Sequence, residues 1–287
     1  MALKDLLVHI DQTEQASQRL QLAADLAKRN QSRLTALFVR EMTPAQQHAL
    51  SSAELGLASA SAIDEENLRI RNDMDAVESR LASNLQAAAR KYGIEVEWRS
   101  LQGVASILVP QHARFADLCV VSQDVSPADL NTGYTFSEQL LFVTGRPVVF
   151  VPPSGSFESL GKHVLVAWNS SRACARSLAD ALPIIECAER VTVLAINSEQ
   201  FAKRYAALPP GNIVENLRRH GAEVDGISLD GVATAAISET LLTQARRVGA
   251  DLIVAGAFGH PRLWEKMMGG VTRDLLARMD RPVLMSY

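Results

Sequence analysis

At 287 residues the chain has room for about two domains of ordinary size. Its 29 Lys and Arg against 32 Asp and Glu give a formal net charge of -3, which argues against a dedicated nucleic-acid or anionic-membrane surface. Hydrophobic residues make up 47% but aromatics only 5%, so the core must be built from Ala, Val, Leu and Ile, and few rings are available to stack exposed bases.

The opening MALKDLLVHID (1–11) carries charges at Lys4, Asp5 and Asp11, which interrupt any signal-like apolar run, and it reads as a first strand. Continuous apolar runs then predict strands near 3–10, 33–39, 94–101, 117–122 and 147–151, each separated by enough chain for a helix. A second set follows near 162–168, 190–196, 223–229, 251–256 and 282–286. Runs such as VVFV and LIVA are apolar on both faces, so they need helices on both sides of a parallel sheet. No stretch approaches about 18 uncharged apolar residues, the length of a membrane span. Cys119, Cys174 and Cys187 are odd in number, lack C-x-x-C spacing and read as buried structural thiols of a protein in the reducing cytoplasm.

The two sets are copies. LLVHID (6–11) matches VLVAWN (164–169), ADLCVVSQ (116–123) matches ADLIVAGA (250–257), and GRPVVFVP (145–152) matches DRPVLMSY (280–287), all in the same order. The first copy is longer, with the excess between about Glu41 and Asp75 leading into a charged helix over 69–93. The Pro-, Gly- and Ser-rich stretch VPPSGSFESLGKH (151–163) reads as the linker, giving domains at 1–152 and 162–287. Each domain is then a doubly wound α/β unit with a five-stranded parallel sheet.

The most informative stretch is VAGAFGHPRLWEKMMGGVTRDLL (254–276), directly after the fourth strand of the second copy. Gly256, Gly259, Gly269 and Gly270 let the backbone turn sharply and approach a ligand closely. The amides of Gly270 and Val271, at the amino end of the following helix, are placed to bind a phosphate, with Thr272 beside them. The competing reading is a tight loop with no ligand. His260, Arg262, Lys266 and Arg273 are candidate anion clamps or a solvated loop; Trp264, Met267 and Met268 read as packing or interface residues.

The G-x-x-G-x9-G pattern after the fourth strand, within a duplicated five-strand unit, resembles the universal stress protein family in tandem two-domain form. The resemblance implies a strand order 3-2-1-4-5 in each Rossmann-like domain and, in nucleotide-binding members, ATP or AMP between the first and fourth strands, with Mg2+ accompanying the phosphates. It places Asn169 at the adenine, where such members usually have Asp, and Ile196 against the adenine ring; capping of a helix from about Ser171 and core burial are the alternatives. Gly270 stands where those members have Ser or Thr, so Thr272 and the loop amides would have to serve the phosphates. The resemblance further implies that RPVVFVP and RPVLMSY pair or pack across the two domains as an intramolecular pseudo-dimer, and that two chains form a homodimer.

The first copy keeps Asp11 at the base position, where helix capping is the alternative role, but has Ser122 and Val125 for the glycine pair and Thr135 near the closing glycine, with Gly133 alone unable to restore the pattern. His9 inside the first strand reads as a core histidine. GSFESLGKH (155–163) is not a P-loop, because its glycines are spaced wrongly and His163 replaces Ser or Thr. No nucleophile elbow or H-E-x-x-H motif occurs. The expectation is a cytoplasmic stress-response regulator whose second domain binds adenine nucleotide without dedicated catalysis, against a nucleotide-free scaffold or a weak ATPase.

Overall fold

A computed structural model describes residues 2–13, 15–41, 60–123, 134–197, 211–258 and 270–287. In the first half β1 (Asp5–Ile10), α1 (Ala16–Asn30), β2 (Arg33–Arg40), α2 (Ala60–Tyr92), β3 (Val96–Gln102), α3 (Ala105–Ala113), β4 (Leu118–Ser122), α4 (Phe136–Val143) and β5 (Val148–Val151) follow one another. The second half repeats the series as β6 (His163–Trp168), α5 (Arg172–Ile185), β7 (Arg190–Ile196), α6 (Gly211–Arg219), β8 (Val224–Leu229), α7 (Ile237–Val248), β9 (Leu252–Gly256), α8 (Gly270–Arg278) and β10 (Val283–Ser286). The extra length of the first half lies between β2 and β3, where α2 has 33 residues against nine in α6. Most of the excursion over 41–63 lies outside the described residues.

The ten strands of the described residues form one sheet in the order β3-β2-β1-β4-β5-β10-β9-β6-β7-β8, so each half has the order 3-2-1-4-5. Within each half every pairing is parallel; β5 and β10 meet antiparallel, with Val149 opposite Leu284. Side chains alternate between two cores. Leu6, Val8, Val164 and Val166 face α1, α2, α5 and α6, whereas Leu7, Val121, Ile253 and Met285 face α3, α4, α7 and α8. Both cores run unbroken through the two halves, because the β5–β10 seam is apolar on both faces: all eight residues of these strands are buried.

The repeated ADL motifs at 116–118 and 250–252 fix strand entries. Asp117 accepts the amides of Lys4 (2.7 Å) and Asp5 (3.0 Å), and its counterpart Asp251 accepts those of Gly161, Lys162 and His163 at 3.0 Å. Each thus fixes the entry of its half's first strand to its fourth. The segment before His163 is therefore anchored: Leu160 is fully buried and Ser159 donates to Asp251.

VVFV of β5 and LIVA of β9 are buried on both faces, whereas β3 is half-buried and Asp225, Gly226 and Ser228 of β8 are exposed, because these two strands are the sheet's edges. One expectation needs correction. Cys119 and Cys174 are buried, but Cys187 lies in the turn after α5 and is exposed.

Candidate functional site

The strand order reverses between β6 and β9, and in open α/β sheets ligands collect in the crevice outside the carboxyl ends of such a pair. Helices α5 and α8 both begin at this edge, after β6 and β9 respectively. Among the described residues, four non-glycine residues adopt positive φ. Three of them, Ser170 (58°), Asn197 (55°) and Phe258 (51°), follow β6, β7 and β9, so left-handed backbone is concentrated at this same edge.

On the β6 side, Asn169 Oδ1 accepts the Ser171 amide at 3.0 Å, and Ser171, the cap of α5, accepts the Cys174 amide on its Oγ at 3.2 Å. The cap is therefore Ser171. Asn169 closes an Asx-type turn ahead of it, which commits its acceptor oxygen and leaves Nδ2 without a partner among the described residues. Ile196 is 7% exposed and packs in the core beneath α7 and α8. Asn197, which the sequence reading passed over, donates to the Val232 carbonyl (2.6 Å) and accepts its amide (2.9 Å), closing the edge beside β8.

At the end of β9, Gly256 is fixed by packing. A Cβ there would collide with the Cys174 amide and lie 2.5 Å from the Ala173 carbonyl carbon, because the first turn of α5 rests on it. Two residues on, the Phe258 amide donates to Thr272 Oγ1 at 3.2 Å, pinning the start of α8 to β9. Thr272 is buried; this bond uses its oxygen as an acceptor and leaves the hydroxyl proton to donate. Gly270, first residue of α8, is exposed, and a Cβ there would meet nothing within 4 Å. The amides of Gly270, Val271 and Thr272 lack intrahelical acceptors, as in any first helical turn. Gly259 and Gly269 lie outside the described residues, as do His260, Arg262, Trp264, Lys266, Met267 and Met268.

The matching position in the first half is built differently. Thr135 caps α4 through the Glu138 amide (3.3 Å), and Glu138 returns its Oε2 to the Thr135 amide (2.9 Å), a reciprocal capping box. Glu138 is the third residue of α4, as Thr272 is of α8. Its carboxylate is 1% exposed and its Oε1 accepts Arg273 Nε at 2.7 Å. Arg273, a candidate anion clamp on sequence, is thus engaged by a first-half carboxylate. Phe258 stacks on Phe142 of α4 at 4.6 Å, and Tyr287 meets both edge-on. Ser122 ends β4; Val125 and Gly133 lie outside the described residues.

Asp11 does not cap α1, whose N-cap is Gln15. Instead it accepts from Thr13 and pairs with the buried Arg19 at 2.8 Å. Burial alone would raise its carboxyl, but Arg19 and Thr13 outweigh that and hold it below the ordinary range. His9 is buried as expected, yet its Nδ1 has no partner; burial, reinforced by Arg19, pushes the imidazole down to about 4.

No protein-family model and no curated protein sequence matches the chain. Solved structures do. A universal stress protein from Archaeoglobus fulgidus superposes over 98% of this chain and 95% of its own, with a TM-score of 0.68 at 18% identity. A Pseudomonas aeruginosa protein described as a universal stress protein covers 99% and 93% with a TM-score of 0.57 at 16% identity. Another protein from that organism, of unknown function, covers 99% and 92% with a TM-score of 0.57 at 16% identity. The fold of this chain is that of the universal stress proteins.

Proposed function

We propose that this chain is a stress-response regulatory protein of tandem domains, 1–152 and 162–287, whose second domain binds ATP or AMP at the carboxyl edge of β6 and β9, without dedicated catalysis. One observation carries the reading: α8 opens at this edge with the exposed Gly270 and no acid in its first turn, whereas the equivalent α4 is closed by Glu138. Free amides at a helix's positive end suit a phosphate, and a capping carboxylate excludes one. In this reading Gly270, Val271 and Thr272 hold the phosphates, with Gly259 and Gly269 shaping the loop, while Asn169 offers Nδ2 to an acceptor nitrogen of adenine and Ile196 lies below the ring. Mg2+ would be carried by the phosphates: among the described residues no three His, Cys, Asp or Glu side chains are grouped to hold a metal.

Localisation in the cytoplasm belongs to the same proposal; no helix among the described residues is long and apolar enough to cross a membrane. A homodimer through sheet edges would use β3 or β8, since β5 and β10 occupy each other. The rival, a nucleotide-free scaffold, is favoured by Gly256, whose glycine the α5 contact already requires.

The deciding experiment is calorimetric titration with ATP and AMP, alongside a Thr272→Glu variant that grafts the first half's capping acid onto α8. We expect binding by the native chain and a loss of more than about tenfold in the folded variant, the scale of an anion repelled at close range. A native chain that takes up neither nucleotide, and is empty on acid extraction, refutes the reading.

A further inference from the structure

We propose that the outward face of α3 is a docking surface for a second copy of this chain, the two α3 helices packing antiparallel about a two-fold axis. The inference assigns a surface to the homodimer and is independent of nucleotide. The inner face of α3 enters the core through Ala105, Val109 and Ala113. Its outer face carries Val104 (53% exposed), Ile107 (57%) and Phe115 (83%), at positions i, i+3 and i+11 of one helical stripe, with Gln111 at i+7. Phe115 continues the last turn, its amide donating to the His112 carbonyl at 3.2 Å. Val143, 45% exposed at the end of α4, adjoins this end of the stripe, because its carbonyl accepts the Arg114 guanidinium at 3.1 Å. Contiguous apolar side chains left in water mark a surface that another molecule covers. The duplication supplies a comparison: α7 follows β8 as α3 follows β3, yet its outer face is polar, with Arg246 paired to Glu239 at 3.0 Å and to Asp280 at 2.7 Å.

The charges select the occupant. At the Phe115 end stand Arg114 and Arg146, whose guanidiniums donate to the Val143 and Arg114 carbonyls and have no carboxylate partner among the described residues. At the Val104 end stands Glu41, which is exposed, accepts the Ala105 amide at the start of α3 and forms no ion pair among the described residues. The stripe therefore carries unpaired positive charge at one end and unpaired negative charge at the other, roughly 16 Å apart along the helix. A two-fold axis through its middle sets Arg114 of each copy against Glu41 of the other and closes the apolar side chains between them, so the face is complementary to itself. A stripe of this size is smaller than a standard protein interface, which makes the dimer weak and concentration-dependent.

The test is sedimentation equilibrium of the full chain from about 1 to about 500 μM, where the native chain should pass from monomer to dimer. Ile107→Asp sets a charge on a side chain already exposed in the monomer; it should raise the dissociation constant more than about tenfold and leave the urea midpoint of the dilute protein unchanged. Glu41→Gln, which keeps an oxygen for the Ala105 amide, and Arg114→Gln should each weaken the dimer about threefold or more, and the double variant no further than the weaker of the two. Hydrogen exchange of the α3 amides should slow as the protein is concentrated, with α7 unaffected. A chain that stays monomeric throughout overturns the proposal. So does a dimer that survives Ile107→Asp, which would place the homodimer on another surface such as the β3 or β8 edge, and so do additive effects of Glu41→Gln and Arg114→Gln, which would rule out the antiparallel pairing.

Discussion

Gly256 illustrates how one residue type answers two different demands. In sequence it belongs to a glycine pattern that suggests close approach of a phosphate; in the fold its missing Cβ is what lets Ala173 and Cys174 of α5 pack on the end of β9. Gly256→Ala should therefore destabilise the ligand-free protein by about 1–3 kcal/mol, the usual cost of forcing a methyl group into a packed contact. Urea unfolding without nucleotide measures this directly, and an unchanged midpoint would mean that α5 shifts freely. Gly270 carries no such steric demand, since its Cβ would point into open space. The sequence could not separate the two glycines, because the residues that distinguish them, Ala173 and Cys174, lie about eighty positions away.

At the scale of elements, β1 and α1 are joined by buried charge. Arg19 of α1 donates to the His9 carbonyl at 2.9 Å and pairs with Asp11, leaving His9 neutral in a site that disfavours its cation. The sign of the pH effect follows. Between pH 6.5 and about 4 the unfolded chain binds a proton at His9 that the folded chain refuses, so stability falls as pH falls through this window and then levels off for this group. The full loss is roughly 3 kcal/mol, from about 1.4 kcal/mol for each pH unit of displacement. Asp11 acts lower on the scale: its depressed carboxyl adds stability above its unfolded value of 3.8 that disappears as pH drops through its folded value. Urea unfolding followed from pH 7 to pH 4 should show a shallower decline in His9→Leu than in the native chain; parallel curves would mean that His9 is protonated in the fold. His112 and His163 are also lowered by burial, so the slope shrinks without vanishing. The interior strands were legible because each is a local apolar run, whereas Arg19 in the first turn of α1 gave no sign that it would be buried against Asp11.

For the whole molecule, the duplication was legible and the way its copies join was less so. Which strands end as edges is decided by the β5–β10 pairing, which leaves β3 (VEWRSLQ) and β8 (VDGISL) half-covered; the polar residues interleaved in both are the trace of that position in the sequence. The seam has a mechanical consequence. Val149 and Leu284 face each other across it, both cores continue through it, and Gln123 at the end of β4 donates to the Leu276 carbonyl of α8 at 2.6 Å. The halves therefore share the apolar burial that stabilises each of them, and neither can lose its end strand without exposing the other's. In a Trp264→Phe background, Trp98 of β3 reports on the first half and Trp168 of β6 on the second. Single-tryptophan variants retaining one or the other should unfold in urea with coincident midpoints, and distinct midpoints would show that the seam does not unite the halves. Adding Leu284→Asp places a charge in the middle of the seam, where it has no partner of opposite sign, and should both lower the midpoints and pull them apart.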